Sequence, residues 1–323
     1  MANTSGKAIT EMVIIKEKEK RRSFWKVFKR QKTLYMMSLP FVVWVFIFNY
    51  LPVWGWTMAF QNFRPGKSFF EQEWVGLEHF ITLFTDERFF MALRNTLAMS
   101  LMGLVVGFTV PILFAVLINE VRHSFFKRTV QTVTYLPHFV SWVVVAGIVT
   151  KMLSIDGGIV NDLLLRLGVI EKPFQFMAQE TWFWGIVTVS DLWKEMGWNA
   201  IIFLAAIAGL DPQLYEAAKV DGAGRLRRIW HVTLPGIRPT ILVVLILNIG
   251  HLVSIGFEKQ MLLGNSLVLD YSEVLDLYAL NYGIGLGQFS YGTAIGIFNS
   301  VVSIILLFLA NGIFKRFSNQ SVM

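Results

Sequence analysis

The stretch YEAAKVDGAGRLRRIWHVTLPGIRP, Tyr215–Pro239, is basic and broken by glycines, and it lies between two long apolar segments. Just before it, Asp211 is suited to cap a helix and Pro212 to occupy the first turn of that helix. Gly222 permits a turn that a side chain would obstruct. The following RLRRIWHV predicts a second short helix, which the two prolines of the stretch end. We therefore predict two short helices joined at a bend, outside the apolar part of the fold.

The apolar segments around this stretch indicate a membrane protein. The 323-residue chain is 54% hydrophobic and 16% charged, whereas soluble domains carry about 25% charged residues. About 20 apolar residues in a helix cross the hydrocarbon core of a bilayer. The segments of this kind are Leu34–Phe60, Thr96–Ile118, Gln131–Thr150, Trp182–Leu210, Pro239–Phe257 and Phe289–Phe314. Because they are continuously apolar rather than alternating, we predict an all-α integral membrane protein with six transmembrane helices, not a β-barrel.

The distribution of basic residues predicts the orientation. Six spans place both termini on one side of the membrane, together with the loops 119–130 and 211–238. That side carries 20 of the 29 Lys and Arg residues, against eight in the loops 61–94, 151–181 and 258–288. Short loops rich in Lys and Arg stay in the cytoplasm. We therefore expect both termini and the basic stretch between spans four and five to be cytoplasmic.

This topology divides the chain into three parts. Residues 1–33 form a basic cytoplasmic N-terminal segment, and residues 34–314 form one six-helix transmembrane domain that includes the cytoplasmic loop 211–238. Residues 315–323 form a cytoplasmic tail.

Two segments outside the spans carry their own predictions. The basic head is interpreted as an orientation anchor rather than a nucleic-acid arm, because an apolar span follows it at once. Within it, Phe24, Trp25 and Phe28 at helical spacing suggest that it lies along the membrane surface. In the loop between spans three and four, GGIVNDLLLRLGV (157–169) predicts a short helix with several leucines on one face.

The chain lacks residues on which several classes of chemistry depend. It has no cysteine, which excludes disulfides and thiol catalysis, and its five histidines are not at zinc-ligand spacing. It contains no G-x-x-x-x-G-K-[ST] phosphate loop. The glycine-rich NYGIGLGQFSYG (281–292) is interpreted as loop and close helix packing. We therefore predict that this chain binds neither a metal nor a cofactor.

The basic stretch resembles the EAA loop of ABC-importer permeases, whose pattern is EAA, three residues, G, and then I/L-x-LP further on. In that family the loop is a coupling helix that docks on a cytoplasmic ATPase, so the resemblance implies a type I importer fold with this helix between spans four and five. Ile229 stands where the family often has Phe. The residues that the resemblance assigns to docking are Glu216, Ala217, Ala218, Asp221, Gly222, Ala223, Ile229 and Pro235.

The resemblance extends from about Leu34 to the C-terminus. NYLPVWGWTMAFQNF, QTVTYLPHFVSWVV and SDLWKEMGWNAIIFLAAIAGLDP are similar to the branch that imports oligosaccharides cut from polysaccharides, including alginate and pectin fragments. This implies a permease of the bacterial cytoplasmic (inner) membrane, with a second homologous permease, two ATPase subunits that bind ATP and Mg, and an extracytoplasmic solute-binding protein. It implies an oligosaccharide substrate and no nucleic-acid partner.

Charged residues interrupt the fourth span in SDLWKEMGWN (190–199). Charges in a membrane are costly and face a cavity or a partner. Asp191, Lys194 and Glu195 share one helix face by their spacing. They either contact substrate or neutralise one another at a helix break. We favour a mixed role, in which Asp191 holds Lys194 while the ammonium group remains open to a cavity.

Aromatic and amide side chains complete the candidate path. Trp193 and Trp198 offer surfaces on which sugar rings stack. Lone polar residues in spans more often bond to other helices, and Asn95 and Asn119, at the ends of the second span, are predicted to be helix caps. The candidate substrate-path residues are Asp191, Trp193, Lys194, Glu195, Trp198, Asn199, His138 and Asn248.

Two other functions compete with a transport subunit. A membrane-embedded glycosyl or lipid transferase would need a convergent acid/base, nucleophile or metal constellation, and the sequence does not present one. An ion channel would conduct without ATP or partner subunits.

Overall fold

The computed structural model describes residues 27–318, and within them the chain is predominantly helical. The α-helices are α1 (Lys32–Val45), α2 (Glu78–Thr85), α3 (Glu87–Glu120), α4 (Ser124–Tyr135), α5 (Trp142–Met152), α6 (Ile159–Arg166), α7 (Glu180–Ala208), α8 (Pro212–Val220), α9 (Arg225–Arg228), α10 (Leu234–Gly250), α11 (Glu258–Leu263), α12 (Leu269–Ser272), α13 (Leu275–Leu280) and α14 (Phe289–Ser318). Turns of 3-10 helix cover Leu51–Phe60, Phe69–Glu71, Leu136–Phe139 and Phe176–Ala178, and π-helical turns cover Phe46–Tyr50, Ile229–Thr233 and Asn281–Gly285.

A small hairpin is the exception to the helical fold. Strands β1 (Gln61–Asn62) and β2 (Glu73–Trp74) pair antiparallel, with Gln61 opposite Trp74. The all-α prediction missed it, because two-residue strands leave no alternating pattern in the sequence.

The described residues divide into two compact units, one that ends at Thr57 and one that begins at Met58. The described part of the first unit is mostly the apolar helix α1 and its π- and 3-10-helical continuation, and no residue of α1 is buried. Of the aromatic triad predicted for the membrane surface, Phe24 and Trp25 lie outside the described residues. The helices from α2 to α14 and the segment 211–238 all belong to the second unit.

The predicted spans match helices, with changed bounds. Four are long and apolar enough to cross a membrane alone: Lys32–Phe60, Glu87–Glu120, Arg225–Gly250 and Phe289–Arg316. Two bent helix pairs bring the number among residues 27–318 to six, one from 124 to 152 and one from 180 to 220. The six-span all-helical prediction is thereby confirmed. The second span begins nine residues before the predicted Thr96, because Asp86 caps it by accepting a hydrogen bond from the Arg88 amide.

The third span breaks near its middle, whereas the fourth bends, by 71°, only after Ala208, between α7 and α8. The expected break at 190–199 is wrong, since α7 runs through that segment without interruption. In the third span, α4 and α5 meet at an angle of 103° after the 3-10 turn that contains Pro137. Proline has no N–H to continue the α-helical bonding. The break leaves backbone groups that must find partners elsewhere in the fold.

The prediction of a separate short helix after Gly222 is wrong, because this stretch is the start of the fifth span. Residues 225–250 form one continuous helix, with a π-helical turn at Ile229–Thr233. Pro235 lies in the first turn of α10 and Pro239 inside it. The π turn shifts the hydrogen-bonding register directly before the first proline, which lets the helix continue past both prolines. The span ends at Gly250, seven residues before the predicted Phe257.

Three apolar clusters hold the second unit together, and each of them includes residues of α3. At one end, Leu83 and Phe89 pack with Leu275, Tyr278 and Ile295. The middle cluster includes Met99, Val187 and Leu263, and at the other end Ile112, Phe203 and Ile237 pack together. α7 joins α3 in the middle and last clusters, and α10 joins both helices in the last cluster.

Asn95 and Asn119 are not caps, contrary to prediction. Asn95 is fully buried inside α3, where its amide group donates to the carbonyl oxygens of Asp270 (2.9 Å) and Glu273 (2.8 Å). Asn119 lies in the last turn of α3, which Val121 ends. Asn95 therefore fastens the loop after the fifth span to the second span, a contact across 175 residues that local sequence cannot indicate.

The helix predicted at 157–169 is confirmed as α6. Asn161 is buried and anchors it, because its side chain bonds to the Ser154 carbonyl and to both backbone groups of Phe174. The helix ends in a Schellman motif: the Val169 amide donates to Leu164, the Gly168 amide donates to Leu165, and Gly168 has φ +68°.

Candidate functional site

A cavity of about 560 Å³ lies between α3, α7 and α10. The segment 251–259, which follows the fifth span, closes part of it. Its lining is largely apolar with a few polar groups, as is typical of small-molecule sites. The polar residues that line it are Ser100, Thr188, Asp191, Trp198, Asn199, Asn248, His251, Ser254 and Lys259.

The cavity includes half of the predicted path residues. Asp191, Trp198, Asn199 and Asn248 line it. The other four, His138, Trp193, Lys194 and Glu195, are not among its lining residues. Trp193 is an exposed side chain on a different face of α7.

Lys194 lies behind the cavity wall in a buried network. Its ammonium group donates to the Glu195 carboxylate (Oε1, 2.9 Å) and to the backbone carbonyl of His138 (2.7 Å). The other Glu195 oxygen accepts from His138 Nδ1 at 2.7 Å, so this nitrogen carries the proton when Glu195 is ionised. Only 6% of Lys194 is exposed. The network therefore satisfies a carbonyl group at the break in the third span.

The predicted pairing of Asp191 with Lys194 is wrong. Asp191 instead accepts from Lys259 Nζ at 2.9 Å, across 68 residues of sequence. Helical spacing placed the two residues on one face, but Asp191 faces the cavity while Lys194 faces α4 and α5. Both lysines lie near Trp142 of α5, with the Nζ atoms of Lys194 and Lys259 at 5.8 Å and 5.9 Å from the centre of its ring. Sequence reasoning assigned Lys259 to a loop and missed it.

Trp198 presents an aromatic face to the cavity. The His138 ring stacks in parallel on it at 4.2 Å with an interplanar angle of 2°, and Phe139 meets it edge-on at 5.6 Å. Glu195 holds the His138 ring in place through the hydrogen bond described above. One face of Trp198 is thus backed by a fixed ring, and 42% of the residue remains exposed. A backed, exposed indole is a suitable stacking surface for a sugar ring.

The first part of the segment 211–238 has the helix cap and the glycine bend that its sequence predicts. Asp211 accepts from the Gln213 amide at 2.9 Å and caps α8. At the other end, the Ala223 amide donates to Ala218 and the Gly222 amide donates to Lys219, which is a Schellman motif with Gly222 at φ +73°. Tyr215 and Thr233 join their hydroxyls at 3.0 Å and hold α8 against the start of the fifth span.

The motif residues of this segment fall into two groups by exposure. Glu216, Ala217, Asp221, Gly222 and Pro235 are exposed, whereas Ala218, Ala223 and Ile229 are half-buried. Ile229 packs on the apolar cluster formed by α3, α7 and α10. The structure therefore gives Ile229 an internal packing role.

Exposed apolar side chains flank the bend, and motif reasoning overlooked them. Val220 is 87% exposed, Leu226 73% and Trp230 67%. Val220 ends α8, and Leu226 and Trp230 lie in the first turns of the fifth span. The sequence signal that could have identified these side chains is the mixture of apolar and charged residues around the bend, which the EAA motif itself does not include.

The family model of binding-protein-dependent transport system inner membrane components matches residues 101–319. This match covers α7, α10, the segment 211–238 and the part of α3 from residue 101 onward. The chain belongs to this family. Its fold is that of a type I ABC-importer permease, and it is a transport subunit rather than an enzyme. The transferase alternative finds no support in these matches.

Relatives and solved structures cover nearly the whole chain. The polygalacturonan/rhamnogalacturonan transport system permease protein YteP of Bacillus subtilis (strain 168) is 45% identical over 96% of each chain. A crystal structure of a bacterial ABC transporter involved in the import of the acidic polysaccharide alginate matches with a TM-score of 0.84. It is 41% identical and covers 92% of this chain and 99% of its own. A second alginate transporter structure, in complex with an alginate pentasaccharide-bound periplasmic protein, also gives 0.84 at 40% identity and the same coverage.

Among residues 27–318, no group of three or more His, Asp and Glu side chains could hold a metal ion. The family consists of multi-pass membrane components, which the apolar helices of this chain match.

Proposed function

We propose that this chain imports acidic oligosaccharides across the bacterial cytoplasmic membrane as one permease of an ATP-driven ABC importer. The observation that carries the proposal is that both a polygalacturonan permease and an alginate importer exceed 40% identity over more than 90% of the chain. Polygalacturonan is by its chemical name a polymer of a sugar acid, and alginate is described as acidic. Substrate class therefore agrees between two independent matches.

The cavity between α3, α7 and α10 is the proposed substrate path. Trp198 supplies a stacking face, and Asn199 and Asn248 supply amide groups for sugar hydroxyls. His138 and Glu195 support Trp198 from behind, and Lys194 orders the same network without reaching the cavity. The predicted role of Trp193 in the path receives no support from its position.

The segment 211–238 is the proposed docking element for an ATPase. Its exposed motif residues, Glu216, Ala217, Asp221 and Gly222, lie beside the exposed Val220 and Leu226. A short helix that presents small and apolar groups fits a groove on a partner protein. Ala218, Ala223 and Pro235 shape the segment, and Ile229 fixes it to the spans.

The remaining partners follow from the importer architecture. The complex contains a second homologous permease, two ATPase subunits that bind ATP and Mg, and an extracytoplasmic solute-binding protein. The alginate transporter that was solved with a loaded periplasmic protein supports the last of these. The proposal includes no nucleic-acid partner and no cofactor bound by this chain.

Transport by the assembled complex tests the function. With ATP inside proteoliposomes and binding protein outside, we expect uptake of galacturonate oligosaccharides that exceeds uptake of neutral glucans of equal length. The proposal fails if uptake persists without ATP, which would indicate a channel, or if neutral oligomers alone are carried. Chemical conversion of a sugar or lipid by the purified chain alone would instead support the transferase alternative.

Cysteine labelling tests the orientation of the chain. Lys219 and Asp270 are exposed, and the chain has no cysteine of its own, so Lys219→Cys and Asp270→Cys give clean single-site reporters. An impermeant thiol reagent added to intact cells should modify residue 270 and spare residue 219 until the membrane is opened. Modification of residue 219 from outside would contradict the cytoplasmic placement of both termini and of the docking segment.

A further inference from the structure

The cavity contains one Lys or Arg side chain among its described lining residues, and its position suggests a specific use. Lys259 lies at the start of α11, in the segment that follows the fifth span, and its ammonium group reaches Asp191 on α7. The cavity wall therefore carries one positive and one negative group from this chain. An acidic sugar that enters meets a cation that is already held in place.

Lys259 differs from Lys194 in how many of its donors are occupied. An ammonium group has three N–H donors. Among the described residues, Lys259 has one acceptor, Asp191, whereas Lys194 has two. The Lys259 side chain is 19% exposed and that of Lys194 is 7% exposed. Lys259 thus retains donors and access for a further carboxylate.

The surroundings keep Lys259 oriented toward the cavity. Its Nζ lies 5.9 Å from the centre of the Trp142 ring, which favours a cation near its face. The partner Asp191 is 33% exposed, so the ion pair is open to water and weak enough for a ligand to share it.

We propose that Lys259 binds the carboxylate of the acidic oligosaccharide in the cavity and that Asp191 weakens this binding by its negative charge. Lys259 bridges the two carboxylates when substrate is present. Asp191 repels the bound sugar acid, which keeps binding weak enough for release, as a transport path requires. This inference rests on the proposed function and names the residue that selects charge in the same cavity.

Substitutions at the two residues should change trimer binding in opposite directions. If the ion pair were only structural, both substitutions would weaken binding alike. Lys259→Met should raise the concentration of galacturonate trimer needed to occupy the cavity about tenfold or more, because a charged hydrogen bond is lost. Asp191→Asn should lower the required trimer concentration about threefold, because the repulsive charge is removed while Lys259 remains. The methyl-esterified trimer should respond less than about twofold to either change.

Cysteine protection measures occupancy without the binding protein. Leu247 lines the cavity, and 48% of it is exposed. In the assembled complex of permeases and ATPases, Leu247→Cys is labelled with a small thiol reagent at increasing concentrations of trimer or ester, and modification is read on this chain by mass. Lys172→Met is the matched control, since Lys172 is exposed and outside the cavity lining. Lys259→Arg should keep the preference for the acid.

Each outcome separates the inference from the proposed function. If wild-type complex is protected by neither trimer nor ester, and does not import the trimer, the proposed function fails. If the trimer protects but Lys259→Met and Asp191→Asn weaken protection alike, or affect the ester equally, the inference fails and the pair is structural. If Lys259→Met does not assemble, Asp191→Asn and Lys259→Arg decide between the two readings. Tighter protection by the acidic trimer in Asp191→Asn, together with retained preference for the acid in Lys259→Arg, supports the proposal. Weaker protection in Asp191→Asn, or loss of the preference in Lys259→Arg, overturns it.

Discussion

Gly222→Trp should reduce substrate-stimulated ATP hydrolysis by the assembled importer to its unstimulated level. Two effects combine at this position. The backbone has φ +73°, where a side chain costs about 1–2 kcal/mol. A Cβ atom there meets nothing within 4 Å in this chain, so the indole projects into the space where the ATPase is proposed to dock. Overpacking such an interface costs about 1–3 kcal/mol more, which supports a loss of stimulation of about tenfold or more.

Gly168→Trp is the matched control for this prediction. Gly168 follows α6 in the same Schellman motif, with φ +68°, and a Cβ atom at this position would also meet nothing within 4 Å. The two glycines are separated by one span and therefore lie on opposite faces of the membrane. Both variants should insert and express alike, while Gly168→Trp retains stimulated hydrolysis. Equal loss in both, or normal stimulation in Gly222→Trp, would contradict the docking role.

The sequence was sufficient for those parts of the fold that depend on local signals. Hydropathy predicted six spans, the cap at Asp211 and the bend at Gly222 followed from residue preferences, and the leucine pattern predicted α6. Each of these depends on residues close together in the chain.

The parts that could not be predicted depend on contacts distant in sequence. Lys259 reaches Asp191 across 68 residues, and Asn95 clamps a loop 175 residues away. Pro137 did not indicate where the third span breaks, because prolines within spans are often accommodated by neighbouring helices. Pro235 and Pro239 show this directly, since the fifth span continues through both. Helical spacing alone also could not decide whether Lys194 faced the cavity or the helices behind it.

Lys194→Met should destabilise the complex more than it alters substrate choice. The substitution leaves the Glu195 carboxylate without its cation and the His138 carbonyl without its donor. Breaking one partner of a buried pair costs about 3–5 kcal/mol, and the 24% exposure of the Glu195 side chain favours the low end of that range. We expect the apparent unfolding midpoint in detergent to fall by roughly 5–10 °C. Lys172→Met, an exposed lysine in the loop before α7, should leave the midpoint unchanged.

The double variant Lys194→Met, Glu195→Gln identifies the cause of that loss. It removes the uncompensated carboxylate, so it should recover much of the midpoint that Lys194→Met loses, while Glu195→Gln alone leaves the ammonium group paired with the His138 carbonyl. Non-additive effects on the unfolding midpoint would indicate that Lys194 and Glu195 neutralise each other away from the cavity. If Lys194→Met instead keeps its midpoint and loses uptake of the acidic trimer while the ester is still carried, Lys194 contacts substrate. The substrate path would then hold two selecting cations, Lys194 and Lys259, whose Nζ atoms lie 5.8 Å and 5.9 Å from the centre of the Trp142 ring. If neither the midpoint nor uptake changes, the break at Pro137 is held by the packing of α4 and α5 on α7 rather than by the buried charges.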